Sequence, residues 1–158
     1  MSFPLSNKFI SNKFKGLTLI ELLVVVAIVG ILASLTLVAM TGTKARARDR
    51  RRLEDVNTLR NALSLYYAEH RNFPVPTEGD SNSNGRPDCY LTGSDSVSSE
   101  LINADVIGTA VIDPVNSGNY RYFYEAPSSG EDFVIKFYLE TNSLQDNGYP
   151  QGENTVTP

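Results

Sequence analysis

From Leu17 to Met40 the chain runs for 24 residues with one charged side chain, Glu21. At about 1.5 Å of rise per residue a helix of that length crosses a hydrocarbon core of roughly 30 Å. An ionised carboxylate in lipid is costly and ordinarily has a partner. Here it stands near the start of the run, just after Lys15-Gly16. An ordinary secretory signal has a shorter apolar core with small residues beyond it, and this run is too long and holds an acid. A plain anchor has no use for the glycine at the junction.

Lys15-Gly16, Leu17-Thr18-Leu19-Ile20-Glu21 and the apolar residues to Gly30 resemble the class III signal segment of type IV pilins and type II secretion pseudopilins. The resemblance implies cleavage between Gly16 and Leu17, with N-methylation of Leu17, by a prepilin peptidase. Glu21 then becomes the fifth residue, the family's assembly glutamate, which attracts the α-amine of a neighbouring subunit or its own. A carboxylate and an ammonium in a dry helix core attract strongly, and either is costly unpaired. Leu17 stands where the family usually has phenylalanine, and Val38 where many members have proline.

The expected fold is α+β and pilin-like: one long N-terminal helix on a small antiparallel β-sheet. Residues 1–16 form a cleaved leader, 17–40 a transmembrane, filament-core half of the helix, and 41–72 its amphipathic half. Residues 73–158 make a small acidic β-rich domain with a loop at 75–95 and a polar tail. In the second helical half Leu53, Val56, Leu59, Leu63 and Tyr66 or Tyr67 recur at spacings of three and four, the stripe of a helix that buries one face. Arg71-Asn72-Phe73-Pro74 ends it, because the residue before proline disfavours the helical conformation.

Ser98 to Val106 reads as one or two helical turns, and Asp113-Pro114 resembles the turn that precedes the sheet in this family. Tyr120–Tyr124 and Phe133–Leu139 have strand composition and a turn-rich connection, which predicts an antiparallel hairpin. Phe133, Ile135, Phe137 and Leu139 should face the helix, with Val134, Lys136 and Tyr138 on the other side. The tail from Thr141 either returns to the sheet through Tyr149 or stays disordered.

Charge is unevenly placed. The chain has 14 bases and 18 acids. Loss of residues 1–16 removes Lys8, Lys13 and Lys15 and no acid, leaving 11 bases against 18 acids, net −7. Lys44, Arg46, Arg48, Arg50, Arg51 and Arg52 against Asp49 make a +5 block. It reads as a contact for anionic lipid heads before assembly and for neighbouring acidic domains afterwards. From Phe73 onward three bases face thirteen acids, so no nucleic-acid partner is expected there.

Asp80, Asn82, Asn84, Arg86 and Asp88 take positions 1, 3, 5, 7 and 9 of an EF-hand-type calcium loop, with Gly85 at position 6. Hard Ca²⁺ wants six to eight oxygens, and glycine permits the sharp turn. Position 12 is Leu91, so the bidentate glutamate is missing. Calcium is one reading of these residues and a metal-free Asx loop the other. With one cysteine, Cys89, and one histidine, His70, no internal disulfide or zinc constellation can be composed, the scattered serines have no second histidine to activate them, and no enzyme is expected.

The function this implies is a structural subunit of a type IV pilus-like or type II secretion pseudopilus filament. Its partners are copies of itself, other pilin-like subunits, the prepilin peptidase and an inner-membrane assembly platform. The chain would first cross the cytoplasmic membrane once, with its globular part outside the cytoplasm, and then enter a surface pilus or periplasmic pseudopilus. The alternative is a membrane-anchored calcium- or ligand-binding module that does not polymerise.

Overall fold

The structure is a computed structural model that describes residue 16 and residues 18–158, without the side chains of residues 35–41. Helix α1 spans Leu19–His70 and continues through Gly42. The chain divides between Met40 and Thr41 into two compact units. In the first, Leu19, Ile20, Leu23, Val26 and Ile31 are exposed.

The second unit is built on the predicted stripe. Val56, Leu59, Leu63 and Tyr66 of α1 are buried with Phe133, Ile135, Phe137 and Leu139 in one core. Strand β3, Val134–Leu139, therefore alternates as its sequence predicts, with Val134, Lys136 and Tyr138 only part-buried on the other face. Each fully buried Leu, Ile or Phe contributes about 1.5–3 kcal/mol over leaving it exposed. Tyr66 belongs to this core, whereas Tyr67 stays 38% exposed against the Phe73 ring.

The sheet is antiparallel throughout, in the order β1-β2-β3-β4. Strand β2, Phe123–Glu125, pairs with β3 as expected, with Phe123 opposite Lys136 and Tyr124 opposite Ile135. It starts later than its composition suggests. Tyr122 is instead fully buried, its hydroxyl donating to Asp55 at 2.8 Å. Helix α2, Ser96–Asn103, starts before the expected Ser98 because Asp95 caps it, accepting from the Ser98 amide at 2.7 Å.

One strand corrects the sequence reading, and another decides between its two readings of the tail. Residues 75–95 are not all loop, since Asp88–Tyr90 form β1 and pair with β2. The tail is not disordered: Gly152–Val156 form β4 along β3, and the Tyr149 ring lies 5.7 Å from Phe137. β1 is three residues long and opens on an aspartate, and β4 carries glycine, glutamate and asparagine. Such sequences have low strand propensity and are held by the neighbouring edge rather than by their own preference. Asn154, the inward residue of β4, satisfies its buried amide with the carbonyls of Pro150 and Gly152.

Candidate functional site

Three groups of residues have chemistry beyond packing, and the first is the start of α1. Gly16 is exposed, and Leu17, the expected methylated residue, lies outside the described residues. Glu21 stands in the first turn. Its Oε2 accepts from the Thr18 backbone N–H and hydroxyl, both at 3.2 Å, while the Glu21 amide donates to Thr18 Oγ1 at 3.3 Å. This reciprocal pair is a capping box, which satisfies donors that a helix start leaves without partners. The signal was in the sequence as Thr-x-x-Glu before an apolar run. A carboxylate there also meets the positive end of the helix dipole. Among the described residues no helix is long and apolar enough to cross a membrane; the side chains of 35–41, which extend the apolar run, are outside them.

The second group is the 80–88 loop, and its oxygens bind the loop's own backbone. Asp80 accepts from Asn84 N at 3.2 Å and Gly85 N at 2.7 Å, Asn82 from Asn84 N, Asn84 from Arg86 N, and Asp88 from Ser81 N at 3.0 Å. Gly85 takes φ +81°, the left-handed conformation its position demands. Leu91, at the twelfth position, is buried in the core. Outside the loop, Glu125 of β2 has Asn84 Nδ2 at 3.4 Å, and Asp132 has Arg86 Nη2 at 3.3 Å. Glu125 is met by Lys136 at 3.3 Å and Arg86 at 3.6 Å. Among the described residues no three His, Cys, Asp or Glu side chains are gathered as metal ligands.

The third group was missed by sequence reasoning. Arg52 and Asp49 of α1 are wholly buried. Arg52 Nε donates to Asp113 at 2.6 Å, and its Nη1 to Asp49 at 2.9 Å and to Glu140 at 2.8 Å. Arg48 Nε reaches Glu140 at 2.7 Å. Asp49 also accepts the amides of Glu140 and Thr141, each at 2.9 Å, so the chain leaving β3 is tied to the helix. Burial alone opposes the Arg52 charge, but the hydrogen bonds to Asp113 and Glu140 outweigh it and hold the guanidinium more firmly protonated. The Arg48 hydrogen bond, against burial and with help from Arg52, holds the Glu140 carboxyl down at about 2. The signal was the stripe itself: positions 49 and 52 continue the spacing of 56, 59, 63 and 66 toward the N-terminus.

The sequence's one cysteine and one histidine each pack against other residues. Cys89 is buried and its thiol is pushed up by that burial, away from the reactive thiolate. His70 stacks on Tyr66 with ring centroids 4.0 Å apart.

A long helix capped by Thr18 and Glu21, which carries a four-stranded antiparallel sheet on its second half, is the pilin-like arrangement of an α+β protein. Residues 11–41 match the family described as the prokaryotic N-terminal methylation motif. The type II secretion system core protein G of Escherichia coli (strain K12) is 35% identical over 69 residues, 44% of this chain and 48% of that protein. Its namesake in Aeromonas hydrophila is 38% identical over 64 residues, 40% and 45% of the two chains. That of Vibrio cholerae is 37% identical over 68 residues, 43% and 47%. Each match thus spans about half the length of the curated relative. No solved structure matches the chain at a significant level. The chain is thus similar to the methylation-motif family over residues 11–41 and to core protein G over less than half of its own length.

Proposed function

We propose that this chain is a structural, non-catalytic subunit of a pseudopilus-like filament, cut between Gly16 and Leu17 and packed with its like through the N-terminal helix. The observation that carries the reading is the placement of Glu21, fifth after Gly16, in the first helical turn of a segment matching the methylation motif. Processing by a prepilin peptidase, membrane insertion by residues 17–40, and an inner-membrane assembly platform are parts of the same proposal. So is a globular unit outside the cytoplasm.

The capping box sharpens the test. Glu21→Ala removes both the charge and the cap, whereas Glu21→Gln keeps an acceptor for Thr18 and removes only the charge. If Glu21 pairs with a subunit's α-amine, both variants are processed normally and neither enters filaments. Filaments of normal yield from Glu21→Gln would reduce Glu21 to a helix cap. Intact masses of a sheared surface fraction and of the membrane fraction give the readout. A methylated Leu17 terminus is expected, and an unprocessed chain in both fractions overturns the proposal.

A second reading, a calcium-binding anchor, draws support from one observation: Asp80 already closes the turn by accepting Asn84 N and Gly85 N, with Gly85 at φ +81°. Opposed to it, Arg86 and Lys136 already neutralise Glu125, and Arg86 also pairs with Asp132, the two acids beside the loop that could stand in for the missing glutamate. Calorimetric titration with Ca²⁺ decides it, and silence into the millimolar range removes the metal.

A further inference from the structure

The outer face of the sheet, turned away from the core, carries an aromatic row with one unpaired cation. Strand register places Tyr90, Phe123, Lys136 and Thr155 side by side across β1 to β4, and Tyr138 beside Glu153 in the next row. The Tyr90 and Phe123 rings meet edge to face at 5.3 Å. Arg121, two residues before Phe123, lays its guanidinium 5.6 Å over the Tyr90 ring. These groups floor a cleft of about 390 Å³, within the size range of small-ligand sites. Its rim is polar, with Ser81 and Asn82 on one side and Gly118 and Asn119 on another.

The two cations of the cleft differ. Lys136 lies 5.0 Å over Phe123 and is neutralised by Glu125 at 3.3 Å. Arg121 has no hydrogen-bond or ion-pair partner among the described residues, and its Nε is buried without an acceptor. A buried donor left unpaired costs about 1–3 kcal/mol, so an acceptor arriving from outside recovers that cost. Glu153, exposed at the cleft's edge, is the opposing acid. With thirteen acids against three bases from Phe73 onward, a polyanion is repelled at long range, and a ligand bringing one carboxylate to Arg121 is favoured.

We infer that this cleft binds a carboxylated sugar unit, with its ring on Tyr90 and Phe123, its carboxylate on Arg121, and its hydroxyls on Asn82, Asn119 and Glu153. Flat aromatic faces suit the apolar face of a sugar ring, and amide and carboxylate groups suit its hydroxyls. An extended peptide adds along a free strand edge, whereas this cleft opens on the face of the sheet. The lining of the cleft lies wholly in the second unit, so the full chain held as a monomer in detergent serves to test it.

The experiment is titration of the full chain, in a zwitterionic detergent without sugar head groups, with methyl α-galacturonide, a sugar with one carboxylate, following the Gly118 and Asn119 amides by NMR. Saturable shifts in the millimolar range are expected. Arg121→Gln should weaken binding about tenfold or more, the loss of one charge-assisted hydrogen bond. Tyr90→Ala, at a half-exposed position that need not disturb the fold, should weaken it similarly. Neutral methyl α-galactoside should bind at least tenfold less well than the acid. Equal binding of the neutral galactoside, unchanged binding by Arg121→Gln, or no shift up to about 10 mM overturns the inference. So does sedimentation showing that the cleft pairs two copies of the chain, with association lost in Tyr90→Ala and no sugar bound.

Discussion

At Arg52 a cation with no exposure is held by three carboxylates from three places in the chain, Asp49, Asp113 and Glu140. Such a cluster adds little net stability over a well-packed apolar substitute, but removing one member strands the others. Arg52→Ala leaves Asp49 and Asp113 buried without their counter-charge and should cost about 3–5 kcal/mol. Arg50→Ala, two residues away and exposed, should stay within about 0.5 kcal/mol. Urea unfolding followed by circular dichroism compares them, and equal midpoints would show that Arg52 does not hold the cluster. The same cluster sets an acid limit. Hydrogen bonding from Arg48, then Arg52, lowers the Glu140 carboxyl from 4.5 to about 2 in the folded chain. A depressed carboxyl stabilises fully above its unfolded value, and that stabilisation is lost as pH falls from about 4.5 through about 2. Glu140→Gln should be less stable at pH 7 and flatter over that window. Asp55 works in the opposite sense, since burial raises its carboxyl despite the Tyr122 hydrogen bond. Asp55→Asn is thus the control that should not flatten the acid limb.

Elements in the second unit are joined by backbone as much as by side chains, and the exit of α1 shows it. Phe73 N donates to Gly130 O at 2.7 Å, which ties the end of the helix to the β2–β3 connection. Gly130 has φ +64°, and a Cβ there would sit 2.9 Å from the Phe73 carbonyl oxygen. Gly130→Ala should therefore cost about 1 kcal/mol or more beyond Gly148→Ala, which has φ +88° but nothing within 4 Å of its Cβ. Thermal melts of both variants measure the difference, and equal losses would place the whole cost in φ. Elements with their own periodicity were legible in the sequence: the α1 stripe, the alternation of β3, and the breaker at Asn72-Phe73-Pro74. β1 and β4 were not, because their pairing energy comes from β2 and β3, which a local reading cannot supply. At the candidate sites, Glu21 was legible as an acid at the right distance from Gly16, but its bond to Thr18 needed the helix start. Asp49 and Arg52 were visible on the stripe, yet charged residues there resemble a solvated end of the helix until Asp113 and Glu140 arrive from far along the chain.

Across the molecule, intramolecular pairing reshapes the +5 block at 44–52. Arg52 is buried, Arg48 is bound to Glu140, and Arg51 lies 3.9 Å from Asp55. Lys44, Arg46 and Arg50 remain exposed along the helix, while Asp105, Glu131, Asp146 and Glu153 are exposed in the acidic part. The charged surfaces of two copies repel through like net charge and attract where one copy's exposed bases meet another's exposed acids. Exposed charges interact over about 10 Å at 0.1 M salt and about 3 Å at 1 M, so subunit contacts of this kind weaken as salt rises. If the chain polymerises as proposed, reversing Lys44, Arg46 and Arg50 to glutamate should leave unfolding midpoints close to those of the parent chain, since none joins the Arg52 cluster. The same triple variant should lower filament yield at 0.1 M salt, whereas a single reversal of Arg60, also exposed on α1, should lower it less. Filament yield from sheared cells, measured beside the melting curve, separates the two effects. A triple variant that melts normally and polymerises normally would leave the apolar helix and Glu21 to hold subunits together without the surface charges.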